Sequence, residues 1–132
     1  MRKVLLFLPE MLFVLMATTA AAGESIVQSV RFWNEADHTR IVFGLSAETT
    51  RKIFLLDQPD RVVVDLQNTR LETLIRQPGL SDPAFRGIRF ARRNENDLRI
   101  VLDLKRKVRM ESFLDKPGRA SGHQLVLDLY DS

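Results

Sequence analysis

An internal duplication is the feature of this sequence that most restricts its fold. Four segments of the first half recur in the same order in the second half, a number of ordered matches not expected by chance. The matched segments are 30–32 with 88–90, 40–45 with 99–104, 54–59 with 112–117, and 62–66 with 125–129. The two halves, at about residues 26–68 and 86–130, are therefore predicted to share one architecture.

The matched segments have the pattern of half-buried β-strands. Apolar and polar residues alternate in them with a period of two, and turn-forming residues bound them. Turns are expected at 34–38, 58–60, 94–97 and 116–118. Each half then supplies about four strands arranged as hairpins, and sheets built from them can bury their apolar faces only against each other or a covering helix. We predict an all-β sandwich of two symmetric four-stranded antiparallel sheets.

The connection between the halves has weak helical spacing. Leu71, Leu74 and Ile75 can share one face of a helix over 69–75, and Pro78 would end it. We expect a short helix there that covers one end of the sandwich.

Side-chain alternation along each strand predicts which residues face the core. In the strand 61–66, Val62 and Val64 lie on one side and Asp65 on the other. The other residues predicted to face inward are Val30, Phe32, Ile41, Phe43, Leu45, Leu66, Ile100, Leu102, Leu104, Leu125, Leu127 and Leu129. The charged residues predicted on the two outer faces are Arg31, Arg40, Arg61, Asp65, Arg89, Arg99, Asp103 and Asp128. Asp65 and Asp128 are thus expected to face solvent.

These outer faces have two interpretations. Arginine and aspartate on neighbouring strands can form ion pairs that hold the strand register, and the pattern alone favours this interpretation. Alternatively, guanidinium and carboxylate groups at strand spacing can bind a polar polymer that carries hydroxyls, amides and carboxylates. Trp33, the single tryptophan, could stack on a sugar ring, but its counterpart is Ala91, and a covered indole fits the pattern equally well.

The first 22 residues have the composition of a secretory signal peptide. Arg2 and Lys3 precede an apolar run over 4–16, and small residues at 20–22 offer a cleavage site. The run is too short for a membrane-spanning helix, which needs about 20 apolar residues. We therefore expect a signal peptide at 1–22, a single domain at 23–132, and no membrane span after cleavage; an uncleaved anchor is the alternative.

Charge and cysteine content exclude other classes of protein. The 20 basic and 17 acidic residues are mixed along the chain, and the basic run at 105–107 is too short for the stripe of a nucleic-acid binder. The chain has no cysteine, so no disulfide can stabilise it. A small exported domain without cysteine is more typical of a bacterial envelope protein than of a eukaryotic secreted module.

No catalytic centre can be assembled from the sequence. His38 and His123 are the only histidines, and neither has a metal-ligand spacing to glutamate or to another histidine. Without cysteine or a serine, histidine and aspartate arrangement, covalent catalysis is unsupported. We expect no catalytic residue, no metal and no cofactor.

Several of these segments resemble the AMIN domain, found in periplasmic N-acetylmuramoyl-L-alanine amidases and in type IV pilus secretins. The similar runs are T-R-I-V-F-G-L at 39–45, F-L-L-D-Q-P-D-R-V-V-V-D-L at 54–66, G-I-R-F at 87–90 and R-I-V-L-D-L at 99–104. The resemblance covers about residues 26–130, and its most specific part is 56–65.

The resemblance implies two symmetric four-stranded sheets, a periplasmic location, peptidoglycan binding and targeting of an associated amidase to the division site. It reverses the preference for register pairs and makes the outward charged residues candidates for peptidoglycan contact, above all Arg40, Arg61, Asp65, Arg99 and Asp128. Two alternatives stay open. The chain could be an interaction module that docks a pilus secretin or a cell-division protein, or the front part of a full zinc amidase.

Overall fold

The computed structural model describes residues 23–79, 82–115 and 122–132. The expected signal peptide and the turn at 116–118 lie outside these residues. The strands are β1 (Ser25–Asn34), β2 (His38–Leu45), β3 (Arg51–Leu56), β4 (Arg61–Leu66), β5 (Thr69–Leu71), β6 (Phe85–Arg92), β7 (Leu98–Leu104), β8 (Val108–Asp115) and β9 (His123–Asp131). Among the described residues no helix is found, and so none that could span a membrane.

The strands form two sheets, one of five strands and one of four. The five-stranded sheet has the order β5-β1-β2-β9-β8, and the four-stranded sheet has the order β3-β4-β7-β6. Each sheet therefore combines one hairpin from each half of the chain. The first half meets the second half at the central pairs, β2 with β9 and β4 with β7, both antiparallel.

The prediction of two four-stranded antiparallel sheets with a short helix is wrong at one position. Residues 69–71 form β5, which pairs in parallel with the start of β1, and no helix occurs over 69–75. The reason is a set of backbone hydrogen bonds to distant segments that an isolated helical turn would not make. Thr69 is buried, its N–H donates to the carbonyl oxygen of Asn96 at 2.9 Å, and the N–H of Ser25 donates to the carbonyl oxygen of Asn68 at 2.9 Å.

Strand register corrects the match of the third repeated segment by one residue. Phe113 on β8 lies opposite Val126, and Phe54 on β3 lies opposite Val63. Since Val63 and Val126 occupy matching positions of the last segment, Phe54 corresponds to Phe113, whereas the sequence match placed it against Ser112. Both phenylalanines therefore lie on outer faces, a position that the sequence match concealed.

One hydrophobic core lies between the two sheets. Phe32 from the five-stranded sheet meets Phe85 from the four-stranded sheet edge to face, with 5.7 Å between ring centroids. The predicted inward residues of both sheets belong to this core or pack against it, which confirms the assignment of inward faces. At about 25 cal/mol per Å² of apolar surface, burial of these side chains is the main favourable contribution to folding.

Candidate functional site

The candidate site consists of the two outer faces, whose side chains form rows across four strands. The five-strand face is defined by three rows: Trp33, Arg40, Asp128 and Glu111; then Arg31, Val42, Val126 and Phe113; then Ser29, Gly44, Gln124 and Asp115. The four-strand face has the matching rows Ala91, Arg99, Asp65 and Lys52; then Arg89, Val101, Val63 and Phe54; then Gly87, Asp103, Arg61 and Leu56. On both faces the two central strands carry an arginine opposite an aspartate and a valine opposite a valine, whereas most residues on the flanking strands differ between the faces.

At the centre of the four-strand face, Asp65 is held by two arginines. Arg99 lies opposite it and donates from Nε to Oδ1 at 2.8 Å and from Nη2 to Oδ2 at 2.9 Å. Arg93, from the β6–β7 turn, adds a bond from Nη1 to Oδ2 at 3.1 Å. The hydrogen bonds from Arg99 hold the pKa of Asp65 below its ordinary value, against the opposing effect of burial.

At the centre of the five-strand face, Asp128 has the same partner geometry. Arg40 donates from Nε to Oδ1 at 2.8 Å and from Nη2 to Oδ2 at 3.0 Å. The His38 ring also lies near this pair. Its Nε2 is 3.7 Å from Asp128 Oδ1, and the ring stacks on Tyr130. The hydrogen bond with Asp128 raises the pKa of Arg40.

The prediction that Asp65 and Asp128 face solvent is wrong. Asp65 is 5% exposed and Asp128 is 3% exposed. Neither belongs to the core, because their side chains contact arginines of the outer faces. Guanidinium groups lie over both carboxylates, and the side-chain alternation that placed them outward does not reveal this cover.

The arginines of these pairs remain accessible. The side chain of Arg40 is 40% exposed and that of Arg99 is 36% exposed. A guanidinium has five N–H donors, and each aspartate uses two of them. The carboxylate therefore fixes the guanidinium plane and leaves the other N–H donors of a partly exposed side chain for further partners, so each pair is a fixed group of hydrogen-bond donors with little freedom left to lose on binding.

The other predicted site residues have different environments. Arg89 pairs with Asp103 at 2.7 and 3.0 Å on the four-strand face, and the Arg89 side chain is 62% exposed. Arg61 donates to the carbonyl oxygens of Asp57 and Pro59, and so stabilises its own turn. Arg31 is exposed, and its side chain makes no hydrogen bond within the described part of the chain. The structure thus brings six of the eight together as three pairs.

Sequence reasoning missed a groove on the five-strand face. It has a volume of about 300 Å³, and Trp33, Val42, Val126 and Phe113 line it together with Arg40. Trp33 and Phe113 are each 43% exposed, so the tryptophan is not covered. The sequence does contain a signal for Phe113, which is a phenylalanine at the same position as Phe54 in the repeat. The one-residue error in the repeat match concealed this correspondence. Arg93, in a turn, had no repeat counterpart that could have indicated it.

The two faces differ in charge. The four-strand face carries Lys52 and three arginines against two aspartates, whereas the five-strand face carries two arginines against Glu111, Asp115 and Asp128. Over residues 23–79, 82–115 and 122–132, no three histidine, aspartate or glutamate side chains are grouped so as to hold a metal ion. The faces are suited to hydrogen bonding and ionic recognition.

Comparison with known proteins identifies relatives of this chain. The family model of the AMIN domain matches residues 29–129. The chain is 31% identical over 129 residues to the N-acetylmuramoyl-L-alanine amidase AmiC of Neisseria meningitidis, with 90% of this chain and 30% of the amidase covered. It is 30% identical over 113 residues to the amidase of the same name from Escherichia coli, with 83% of this chain and 27% of the amidase covered. The chain therefore matches less than a third of the length of either enzyme.

Proposed function

The chain belongs to the AMIN domain family, and from this premise we propose that it is a non-catalytic peptidoglycan-binding domain of the bacterial periplasm. In this function it localises itself or an associated N-acetylmuramoyl-L-alanine amidase at the cell wall, with the division site as the destination. Export by a signal peptide at 1–22 is part of the proposal. The two relatives support this proposal. Each is named as an N-acetylmuramoyl-L-alanine amidase, and the region that matches this chain is less than a third of the enzyme.

The observation that carries the proposal is the pair of fixed guanidinium groups, one on each outer face. Arg40 and Arg99 each keep donors free beyond those used by Asp128 and Asp65. Peptidoglycan offers hydroxyl, amide and carboxylate acceptors at repeated intervals. Individual contacts of this kind are weak, but two faces on one small domain can engage neighbouring strands together, and the second contact then gains from effective concentration.

In this mechanism Asp65 and Asp128 are positioning residues. Both are buried and accept hydrogen bonds on both oxygens, so they orient the arginines and do not themselves contact the polymer. Arg89 and Arg31, at matching positions of the two faces, extend the contact surface.

Co-sedimentation with purified sacculi tests the proposal. We expect the parent protein to pellet with the wall, and an Arg40→Lys/Arg99→Lys variant to stay largely in solution, because lysine keeps the charge but loses the planar donor array. Arg106→Ala is the matched control, since Arg106 pairs with Asp131 away from both central pairs. Circular dichroism confirms that all three are folded. A parent that stays in the supernatant would refute peptidoglycan binding.

A protein-interaction function is the second candidate, and the surface of β3 favours it. Leu55 and Leu56 lie on this edge strand and are 42% and 39% exposed. An edge strand with exposed apolar side chains can pair with a strand of another protein. Under this candidate, crosslinking in cells would recover an envelope protein from the β3 edge, and the Arg40→Lys/Arg99→Lys variant would leave that product unchanged.

A further inference from the structure

The groove on the five-strand face crosses the sheet between two aromatic side chains. Trp33 lies on β1 and Phe113 on β8, with Val42 on β2 and Val126 on β9 between them. Three inter-strand spacings separate β1 from β8, which amounts to about 14 Å. With its volume of about 300 Å³, the groove has room for a sugar ring laid across the strands.

The lining of the groove has the chemistry of a carbohydrate site. Indole and phenyl faces stack on the C–H face of a pyranose, while hydroxyl and acetamido groups at the ring edge need hydrogen-bond partners. Such partners surround the groove as Glu35, Asp115 and Gln124, together with the free donors of Arg40. The Arg40 guanidinium lies 5.8 Å from the centroid of the Phe113 ring, so the donor and the aromatic platform are adjacent.

The four-strand face lacks this arrangement at the matching positions. Ala91 takes the place of Trp33. Phe54 takes the place of Phe113, but it is more buried than Phe113. A cavity of about 100 Å³ beside Asp65 is lined mainly by charged residues, among them Arg93 and Asp65. Among the described residues, the pair of exposed aromatic side chains that could stack on a sugar ring therefore lies on the five-strand face.

We propose that the groove between Trp33 and Phe113 is a glycan subsite that takes the sugar rings of a neutral or N-acetylated polysaccharide, with the four-strand face left to the charged groups of its ligand. The inference rests on the proposed function. It places the glycan strand of the wall on the five-strand face, in contact with Trp33 and Phe113, and running across the β-strands.

Trp33 makes the proposal directly measurable, because it is the only tryptophan of the chain. Peptide-free glycan strands, prepared by enzymatic removal of the stem peptides from sacculi, are titrated into the protein while the indole emission is recorded. We expect a saturable change of emission with glycan strands and none with free stem peptides. Phe113→Ala, which retains the fluorophore, should weaken glycan binding about tenfold, a loss in the range found when one aromatic anchor of a binding site is truncated.

Matched variants separate this inference from the proposed function. Phe54→Ala, the equivalent change on the four-strand face, should leave glycan affinity within about twofold of the parent. Trp33→Ala, which lacks the fluorophore and is therefore assayed by isothermal titration calorimetry, should abolish binding of glycan strands and only weaken sedimentation with whole sacculi. If sacculi bind while glycan strands neither bind nor change the emission, the glycan subsite is overturned and wall binding stands; if sacculi do not bind either, both fail. An emission change that follows protein concentration without glycan would identify the groove as a contact between copies and overturn the proposal.

Discussion

Arg99 on β7 lies directly opposite Asp65 on β4 and donates two hydrogen bonds to its carboxylate, at 2.8 and 2.9 Å. The strands that carry them belong to different halves of the chain. The same holds for Arg40 and Asp128, which join β2 to β9. Each ion pair therefore crosses the central junction of its sheet, where the two halves meet, and we infer that it holds the register of that junction.

Removing Arg99 should destabilise the protein more than removing an exposed arginine of the same face. Arg99→Ala leaves Asp65 buried with Arg93 alone, and we expect the free energy of unfolding to fall by about 2–3 kcal/mol, less than for a fully buried pair because Arg99 is partly exposed. Arg89→Ala, which breaks the exposed pair with Asp103, should cost less than about 1 kcal/mol. Urea denaturation measures both, and equal losses would contradict a special role of the central pair.

The stability supplied by Asp65 should depend on pH in the acidic range. Arg99 lowers the pKa of Asp65 in the folded state, so folding favours the ionised carboxylate. Its contribution is fully present above the unfolded pKa of about 3.9 and is lost as the pH falls through the lower folded value.

The variant Asp65→Asn isolates this contribution. Its unfolding free energy should lie below that of the parent at pH 7, and the difference should shrink as the pH is lowered below about 4. Urea midpoints at a series of pH values measure the difference, with Asp103→Asn as the control on the same face. A difference that stays constant down to pH 2.5 would argue against the assigned pKa direction.

The period of the sequence was sufficient to predict the faces of the strands. Val62, Val64 and Leu66 alternate with residues of the outer face, and the structure buries all three in the core. Alternation is a local property, so it follows from the sequence alone. It predicted eight of the nine strands found in the described residues, and the inward residues of both sheets.

Features that depend on distant contacts could not be predicted in this way. The burial of Asp65 and Asp128 results from arginines up to 88 residues away in the chain, and alternation carries no information on what covers an outward side chain. Each sheet also combines one hairpin from each half of the chain. This arrangement depends on pairing between strands that are far apart in the sequence, which a local pattern does not reveal. The three residues of β5 are too few to show a strand period in the sequence. The weak helical spacing of residues 69–75 therefore led to the prediction of a helix, because the sequence does not show the distant hydrogen-bond partners of Thr69.

Two buried threonines, Thr69 at the start of β5 and Thr49 beside it, allow a test of the contribution of β5 to stability. Thr49 and Thr69 both donate to the carbonyl oxygen of Gln67, each at 2.7 Å. Thr49→Val and Thr69→Val should each lower the unfolding free energy by about 1 kcal/mol. The double variant should lose more than the sum, because only then does the Gln67 carbonyl lose both donors. Urea denaturation of the four proteins measures this coupling; Thr50→Val, at an exposed position, is the control, and strict additivity would contradict the shared acceptor.

Lys52 and Glu111 provide a matched test of the charge difference between the faces. Both lie on edge strands directly opposite a buried aspartate, Lys52 opposite Asp65 and Glu111 opposite Asp128. Since the four-strand face is the more cationic, it should attract the carboxylates of the wall peptides. Lys52→Glu should therefore weaken binding to sacculi several-fold at low ionic strength, and the loss should fade in about 0.5 M salt, where exposed charges are screened.

The reciprocal change, Glu111→Lys, adds a cation to the face that we assign to the glycan. It should leave sacculus binding unchanged or strengthen it, and it should leave the affinity for peptide-free glycan strands within about twofold of the parent, because stacking in the groove does not depend on that charge. Co-sedimentation of both variants with sacculi across a salt series measures the first effect, and titration of the indole emission with glycan strands measures the second. Equal losses in the two variants would mean that both faces contact the same chemical groups, whereas a loss confined to Glu111→Lys would reverse the assignment of the faces.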